Sequence, residues 1–363
     1  MESGASSTLI LSSLQNPQPN KLPPQFIWPD EELAHSTQVH ELEDPPLDLS
    51  GFLNGDQEAT ALAAAQIRAA CLTRGFFQVI NHGVDPSLTQ AAQNHMDHFF
   101  NLSIDRKLAV ERKPGDLCGY SIGHADRFSS KLTWKEMFSF TYKYDSRDED
   151  VAHHIKSVLG QDFEEAGLIY EKYCKAMEKL SLAIMELLAI SLGVERGHYR
   201  EFFKDGSSIV RANYYPPCIE AGLTLGTGPH CDPNSLTILL QDQVGGLQIF
   251  VDGKWQALKP RTDALVINIG DTFKALSNGK YKSCLHRAVV NKERARISIA
   301  FFVNPKDHKI VSPPNNLVAA AMREYPDFTW SDFKKFLLNH YRADGTSLQN
   351  FVHWLSDQNK TNN

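Results

Sequence analysis

Leu225 to Asp242 reads LGTGPHCDPNSLTILLQD. Its second half, Leu236 to Leu240, is β-branched and leucine-rich, and Pro233 with Asn234 on one side and Gln241 with Asp242 on the other bound it as a short strand. Its first half holds the triplet His230, Cys231, Asp232. On or at the edge of a strand, side chains at i and i+2 project to one face while i+1 points away. His230 and Asp232 can therefore share one ion, and Cys231 faces elsewhere. Working outward, short strand-like runs recur from Ile209 to Val303 at turn-rich intervals, a pattern that predicts an antiparallel sandwich or barrel and not alternating βαβ units.

Three further runs carry polar residues at the same spacing. Cys284 to Val290 (CLHRAVV), entered through the turn signal Asn278-Gly279, brings His286 as a third metal-competent side chain. RISIAFFV opens with Arg296 and Ser298 at i and i+2, a guanidinium fork and a hydroxyl facing the same way, which suits a carboxylate. Asn213 and Tyr215, in NYYPPC, form another such pair, although that stretch also reads as a plain strand stopped by Pro216 and Pro217. Each piece alone has an ordinary reading, since a buried His beside a carboxylate is more often a satisfied core pair than a metal site. Order and spacing make the difference: triplet, distal His and Arg-x-Ser fall in sequence on successive strand-like runs. Two imidazoles and a carboxylate on one face of an iron leave three positions open, the arrangement of non-haem Fe(II) oxygenases.

Asn213 to Cys218, Leu225 to Asp242, Val266 to Phe273 (VINIGDTF), Leu276 to Asn291 and Arg296 to Pro305 resemble the plant 2-oxoglutarate- and Fe(II)-dependent dioxygenases. Gly75 to Val84 (GFFQVINHGV) resembles that family's N-terminal signature. NYYPPC, LGTGPHCDP, Leu132 to Met137 (LTWKEM), YPDFTW (Tyr325 to Trp330) and HYRAD (His340 to Asp344) are similar, more narrowly, to the gibberellin 20-oxidases. The resemblance implies a mixed α/β (α+β) fold with a double-stranded β-helix (jelly-roll) core wrapped by helices. It implies His230, Asp232 and His286 as iron ligands, Arg296 and Ser298 on the distal carboxylate of 2-oxoglutarate, and Tyr215 with Asn213 also reaching the cosubstrate. Fe(II), 2-oxoglutarate and O2, with ascorbate in support, follow as cofactors and partners, and a C20 gibberellin as substrate. The LTWKEM stretch departs from the subfamily's hexapeptide at Thr133 and Met137, and Leu240 replaces a His. Trp134, Lys135 and Glu136 remain and are the substrate-binding candidates, against which Trp134 reads as an ordinary core aromatic and Lys135 with Glu136 as a solvated charge pair.

The rest of the chain suits an intracellular enzyme. Its 363 residues, 42% hydrophobic, are ample for a β-core wrapped by helices. A net charge of −6 with scattered Lys and Arg offers no basic field for nucleic acid or anionic membrane. Six dispersed cysteines without a CxxC pair read as reduced thiols. No apolar run approaches membrane-spanning length, and the first twenty residues lack a secretory pattern, so the cytoplasm is expected, with the nucleus left open. The expected organisation is a disordered tail over 1–40, an N-terminal dioxygenase region over 41–160, a spine helix within 161–200, the jelly-roll core over 204–306 and a helical segment over 307–363. Helices are expected at Thr60 to Leu72, at Ser87 to Phe100 with Ser87 as cap, and at Glu165 to Leu192, with a short strand in PLDLSGF near Pro46. Three alternatives stay open: a relative acting on another diterpenoid or a flavonoid, a jelly roll that binds ligand without catalysis, and a zinc hydrolase, in which Arg-x-Ser would have no evident task.

Overall fold

The computed structural model describes residue 14 and residues 21–33, 39–113, 115–123, 131–144, 150–319, 322–340 and 345–361. In chain order the core strands are β1 (Leu47–Asp48), β2 (Phe76–Ile80), β3 (Gly119–Ile122), β4 (Glu136–Lys143), β5 (Ser207–Tyr215), β6 (Thr227–His230), β7 (Leu236–Gln241), β8 (Leu247–Val251), β9 (Lys254–Ala257), β10 (Leu265–Ile269), β11 (His286–Ala288) and β12 (Arg296–Asn304). Eight of them form one sheet in the order β1-β2-β10-β7-β12-β5-β4-β3, and four form a second in the order β6-β11-β8-β9. All pairings are antiparallel except β1 with β2.

The two faces of the large sheet have different partners, which is why the leucines and isoleucine of LTILL fall on both of them. Leu236, Ile238, Leu240, Ile267, Ile299, Phe301 and Val303 pack into the helical layer beside Ile184, Leu187 and Leu188. Leu239, Val266 and Ala300 point the other way and meet Leu247, Ile249 and Val251 of the small sheet. Each such side chain contributes about 1.5–3 kcal/mol by leaving water. Between the sheets, polar residues of β12 and β5 replace apolar ones toward one end, and there the sandwich opens into a cavity.

The spine is a 29-residue helix, Glu164–Leu192, ended by Gly193 in the left-handed region at φ 70°. Its predicted stripe, Tyr170, Tyr173, Met177, Leu180, Ile184, Leu187 and Leu188, is buried throughout. The other helices run from Gln57–Thr73 and Pro86–Phe100. The expected Ser87 cap is corrected: Asp85 accepts the Ser87 N–H at 2.8 Å and Pro86 takes the first helical position, where a missing N–H costs nothing. PLDLSGF yields only the two-residue β1 followed by a short helix, Ser50–Leu53, and CLHRAVV is a strand only over His286–Ala288.

The expected disordered tail is corrected over residues 21–33. Pro23 and Pro24 start a 3-10 turn (Pro24–Phe26) instead of preventing structure, and a helical turn follows at Asp30–Leu33. Leu22, Phe26, Trp28 and Leu33 are buried. The Phe26 ring meets Trp134 edge-on at 4.9 Å, Trp28 Nε1 donates to Leu132 O at 3.0 Å, and Leu132 N donates to Gln25 O at 2.9 Å. Four large apolar side chains in this Pro-rich stretch were the signal that composition obscured. Residues 1–13, 15–20 and 34–38 of the expected tail, and 341–344 of HYRAD, lie outside the described residues. Among the described residues no helix is long and apolar enough to cross a membrane, and all six cysteines are free thiols.

Candidate metal centre and cosubstrate pocket

His230 ends β6 and His286 begins β11, and the two are register partners across the small sheet. Asp232 lies just past β6 in the link to the large sheet. Asp232 Oδ1 stands 3.6 Å from His230 Nε2 and 3.7 Å from His286 Nε2, and one ligand atom from each of the three residues lies within 4.8 Å of the others. Among the described residues this is the group of three His, Cys, Asp or Glu side chains placed to hold a metal ion. Cys231 turns away, toward Ser283 O.

The surrounding backbone sets the protonation of both imidazoles. His230 Nδ1 lies 2.9 Å from Gly228 O and His286 Nδ1 lies 3.0 Å from Cys284 O. A carbonyl oxygen only accepts, so each Nδ1 carries the proton and each Nε2 keeps its lone pair toward Asp232 Oδ1. Burial, with the neighbouring His286 adding to it, pushes His230 down to about 3, so that ring stays neutral. Burial alone would raise Asp232, but the two imidazoles and the Thr237 and Asn268 hydrogen bonds outweigh it and hold the carboxyl below its usual range.

Asp232 is itself fixed on its far side. Thr237 Oγ1 donates to Asp232 Oδ2 at 2.7 Å, and the Asn268 side chain also bonds the carboxylate. Asp271 N donates to Asp232 O at 2.8 Å, tying the loop to the corner after β10. That corner needs Gly270, because a Cβ there would stand 1.9 Å from Asn234 O and 2.9 Å from Asp232 O. Thr237, Asn268 and Gly270 were missed as site residues. Thr237 sits in a run that reads only as β-branched and leucine-rich, and VINIGDTF offers no spacing that points back to Asp232.

Arg296 and Ser298 lie on β12 directly opposite Tyr215 and Asn213 of β5. All four face the space between the sheets. Arg296 is 2% exposed, its Nη2 donates to Gln241 Oε1 at 3.1 Å, and its guanidinium lies 5.0 Å from the Tyr215 ring centre. Its Nε and Gln241 Nε2 are buried donors with no partner in the protein. Donors left over in a buried pocket call for an acceptor from outside the chain.

Two cavities meet at this centre. The inner one, about 80 Å³, is lined by Arg296, Ser298, Tyr215, Asn213 and Lys135 together with the three metal-competent residues. The outer one, about 390 Å³, has apolar walls from Leu117, Ile209, Pro233, Trp330 and Leu337. His230, Asp232, Arg211 and Phe302 border both. A deep polar pocket and a wider apolar one thus open onto a single metal position from different sides.

Residues 206–305 match the family model of the 2OG-Fe(II) oxygenase superfamily, and residues 45–158 match the N-terminal model of the non-haem dioxygenase in morphine synthesis. The chain is 54% identical to gibberellin 20 oxidase 2 of Oryza sativa subsp. indica, over 93% of this chain and 86% of that protein. It is 51% identical to gibberellin 20 oxidase 2 of Arabidopsis thaliana, over 99% of this chain and 94% of that one. The chain belongs to the 2OG-Fe(II) oxygenase superfamily.

Solved members share the architecture. JOX2 in complex with 2OG, Fe and JA aligns with a TM-score of 0.80 at 30% identity, over 94% of this chain and 97% of that one. The dioxygenase for auxin oxidation of rice aligns at 0.69 and 25%, over 85% and 99%. Fe(II) and 2-oxoglutarate are accordingly the metal and cosubstrate of this oxygenase, and the residues present fit both. Two imidazoles that aim Nε2 toward Asp232 Oδ1 and a depressed carboxylate make a donor set for a divalent iron. The unpartnered guanidinium Nε, the Ser298 hydroxyl and the Gln241 amide fit a carboxylate.

The substrate-binding candidates fare differently from one another. Trp134 is fully buried under Phe26, donates its Nε1 to Pro216 O at 3.1 Å, and borders neither cavity. Glu136 is buried on the opposite side of its strand, where it accepts from Lys107 Nζ at 2.5 Å and Tyr120 OH at 2.7 Å. Both are corrected to structural residues. The alternative of a solvated Lys135-Glu136 pair is also wrong, since the two point to opposite faces of β4 and are both buried. Only Lys135 enters the site, and it does so in the inner cavity.

Proposed function

We propose that this oxygenase is a gibberellin 20-oxidase that oxidises one methyl carbon of a C20 gibberellin in successive turnovers, through alcohol and aldehyde, until that carbon is lost. The observation that carries this reading is identity of about half of all positions to gibberellin 20 oxidases along nearly the whole chain. The outer cavity supports it. Its size lies within the roughly 300–1,000 Å³ of small-molecule sites, its walls are largely apolar, and Arg211 and Lys335 border it as cations for an acidic terpenoid, Lys334 being paired with Asp307. On this reading the enzyme works in the cytoplasm.

His230, Asp232 and His286 would hold the iron, and Arg296 with Ser298, Tyr215 and Asn213 would receive the distal carboxylate of 2-oxoglutarate. The chemistry that an iron held there would supply is oxidation of a substrate C–H bond by O2 coupled to decarboxylation of 2-oxoglutarate to succinate and CO2. The chain's own residues do the arranging. The carbonyls of Gly228 and Cys284 keep both Nε2 atoms aimed at the metal, and Thr237 occupies Asp232 Oδ2 so that Oδ1 is the atom presented. The walls from Trp330 and Leu337 shield the reacting C–H from water. Incubation of the protein with a C20 gibberellin, Fe(II), ascorbate and 2-oxoglutarate should give products differing by successive oxidations, read by mass. Succinate formed with a flavonoid or another diterpenoid but not with any C20 gibberellin would reject the substrate assignment.

A further inference from the structure

Lys135 belongs to the stretch whose resemblance points to gibberellin, yet its side chain leaves the substrate cavity alone. It is 4% exposed and lines the inner cavity with Arg296 and Ser298, and it is absent from the walls of the outer one. Its Nζ donates to Thr227 Oγ1 at 3.0 Å and faces Asn213 Oδ1 at 3.5 Å. Thr227 Oγ1 in turn lies 3.3 Å from Tyr215 OH. Lys135 is thus joined through one hydroxyl to Tyr215 and directly to Asn213, the two β5 residues that stand opposite Arg296 and Ser298.

The position of the ammonium follows from the strands. β4 pairs with β5 so that Glu136 faces Tyr214 across the ladder and Met137 faces Asn213. Glu136 turns to the helical side, whereas Lys135, in the turn just before β4, lines the cavity between the sheets. Trp134 is clamped by Phe26 and by its bond to Pro216 O, which fixes the backbone from which Lys135 extends. The ammonium thus borders the same inner cavity as His230 and Arg296, with β5 between its own strand and the β12 strand of Arg296.

We propose that Lys135 is a second cationic anchor for the keto-acid cosubstrate, placed on the far side of β5 from Arg296, and is not a gibberellin contact. 2-Oxoglutarate carries two carboxylates, and a pocket lined by side chains this buried accepts a dianion only where each negative end meets charge or donors. Arg296 serves one end. Lys135, held by Thr227 and Asn213, supplies positive charge to the rest of the molecule and pre-orients Tyr215 and Asn213 as donors. This inference rests on the 2-oxoglutarate reading of the pocket.

The test measures binding apart from turnover. Wild type, Lys135→Met, Lys135→Arg and Thr227→Val are loaded with Ni(II), which does not turn over, and titrated calorimetrically with 2-oxoglutarate and then with a C20 gibberellin. Losing a charge-assisted hydrogen bond costs 2-oxoglutarate affinity by about 10- to 100-fold, so Lys135→Met should weaken it by that factor. Its gibberellin affinity, measured at saturating 2-oxoglutarate, should stay within about threefold. Lys135→Arg should recover most of the 2-oxoglutarate affinity because it keeps the charge, and Thr227→Val should lose part of it. Should Lys135→Met fail to fold, the Arg and Thr227 variants decide the matter in the same assay. Unchanged 2-oxoglutarate affinity in the folded variants, or a loss confined to gibberellin, overturns the proposal. Wild type that binds no 2-oxoglutarate overturns the cosubstrate reading itself, a separate outcome.

Discussion

Replacing Arg296 by Lys keeps the charge and removes the fork. In the structure Nη2 is already committed to Gln241 Oε1 at 3.1 Å, while Nε is buried without a partner. A carboxylate received there can take two parallel N–H donors from the guanidinium, whereas an ammonium offers a single point of contact and must give up Gln241 to reach it. One charge-assisted hydrogen bond is worth about 1.5–3 kcal/mol, and each 1.4 kcal/mol is about tenfold in affinity. The variant should therefore need roughly 10- to 100-fold more 2-oxoglutarate for half-maximal turnover. The maximal rate at saturating cosubstrate should fall much less, because the metal ligands are untouched. The assay is succinate production against 2-oxoglutarate concentration at fixed gibberellin, with thermal melting to verify folding. A folded Arg296→Lys protein whose requirement changes less than about twofold would remove Arg296 from the anchor and leave the unpartnered Nε unexplained.

Other outcomes follow from the same geometry. Asp232→Ala and His230→Ala should abolish substrate oxidation while leaving the melting temperature of metal-free protein near wild type, since neither side chain supports the core; substantial turnover by a folded Asp232→Ala protein contradicts the metal site. Thr237→Val should free Asp232 Oδ2 to swing toward the metal, changing the visible spectrum of the Co(II)-substituted protein and raising succinate formed per oxidised substrate, with Thr237→Ser restoring both. Glu136→Leu should destabilise the fold by roughly 3–5 kcal/mol, because it strands Lys107 as an uncompensated buried charge; denaturant unfolding measures this, and a loss below 1 kcal/mol would refute the buried-pair account. Phe26→Ala should cost about 3–5 kcal/mol by opening a cavity over Trp134, whereas a truly disordered tail would show no loss.

The His230, Asp232, His286 cluster and the Arg296-Ser298 pair could be singled out in the sequence because strand periodicity brings i and i+2 to one face, and the structure gathers them around one cavity. Strand pairing then did what spacing alone could not, setting Arg296 against Tyr215 and Ser298 against Asn213. Residues acting through packing were harder to read. Lys135 and Glu136 are neighbours of opposite charge that look like a surface pair, and only the burial of both faces of β4 separates them into a pocket cation and a core anion. Phe26 and Trp28 were obscured by a proline-rich composition, although the fixed φ of Pro23 and Pro24 suits the short 3-10 turn that docks them. Thr237 and Asn268 serve Asp232 from strands whose apolar neighbours gave no polar periodicity to notice.

Anaerobic titration of the metal-free chain with Fe(II), followed by 2-oxoglutarate, reaches the core of the account. Wild type should bind one Fe(II) per chain and then one 2-oxoglutarate whose affinity depends on that metal, and Asp232→Ala should lose both while remaining folded. Stoichiometric iron binding that survives in Asp232→Ala, or 2-oxoglutarate binding indifferent to metal, would contradict the centre formed by His230, Asp232 and His286.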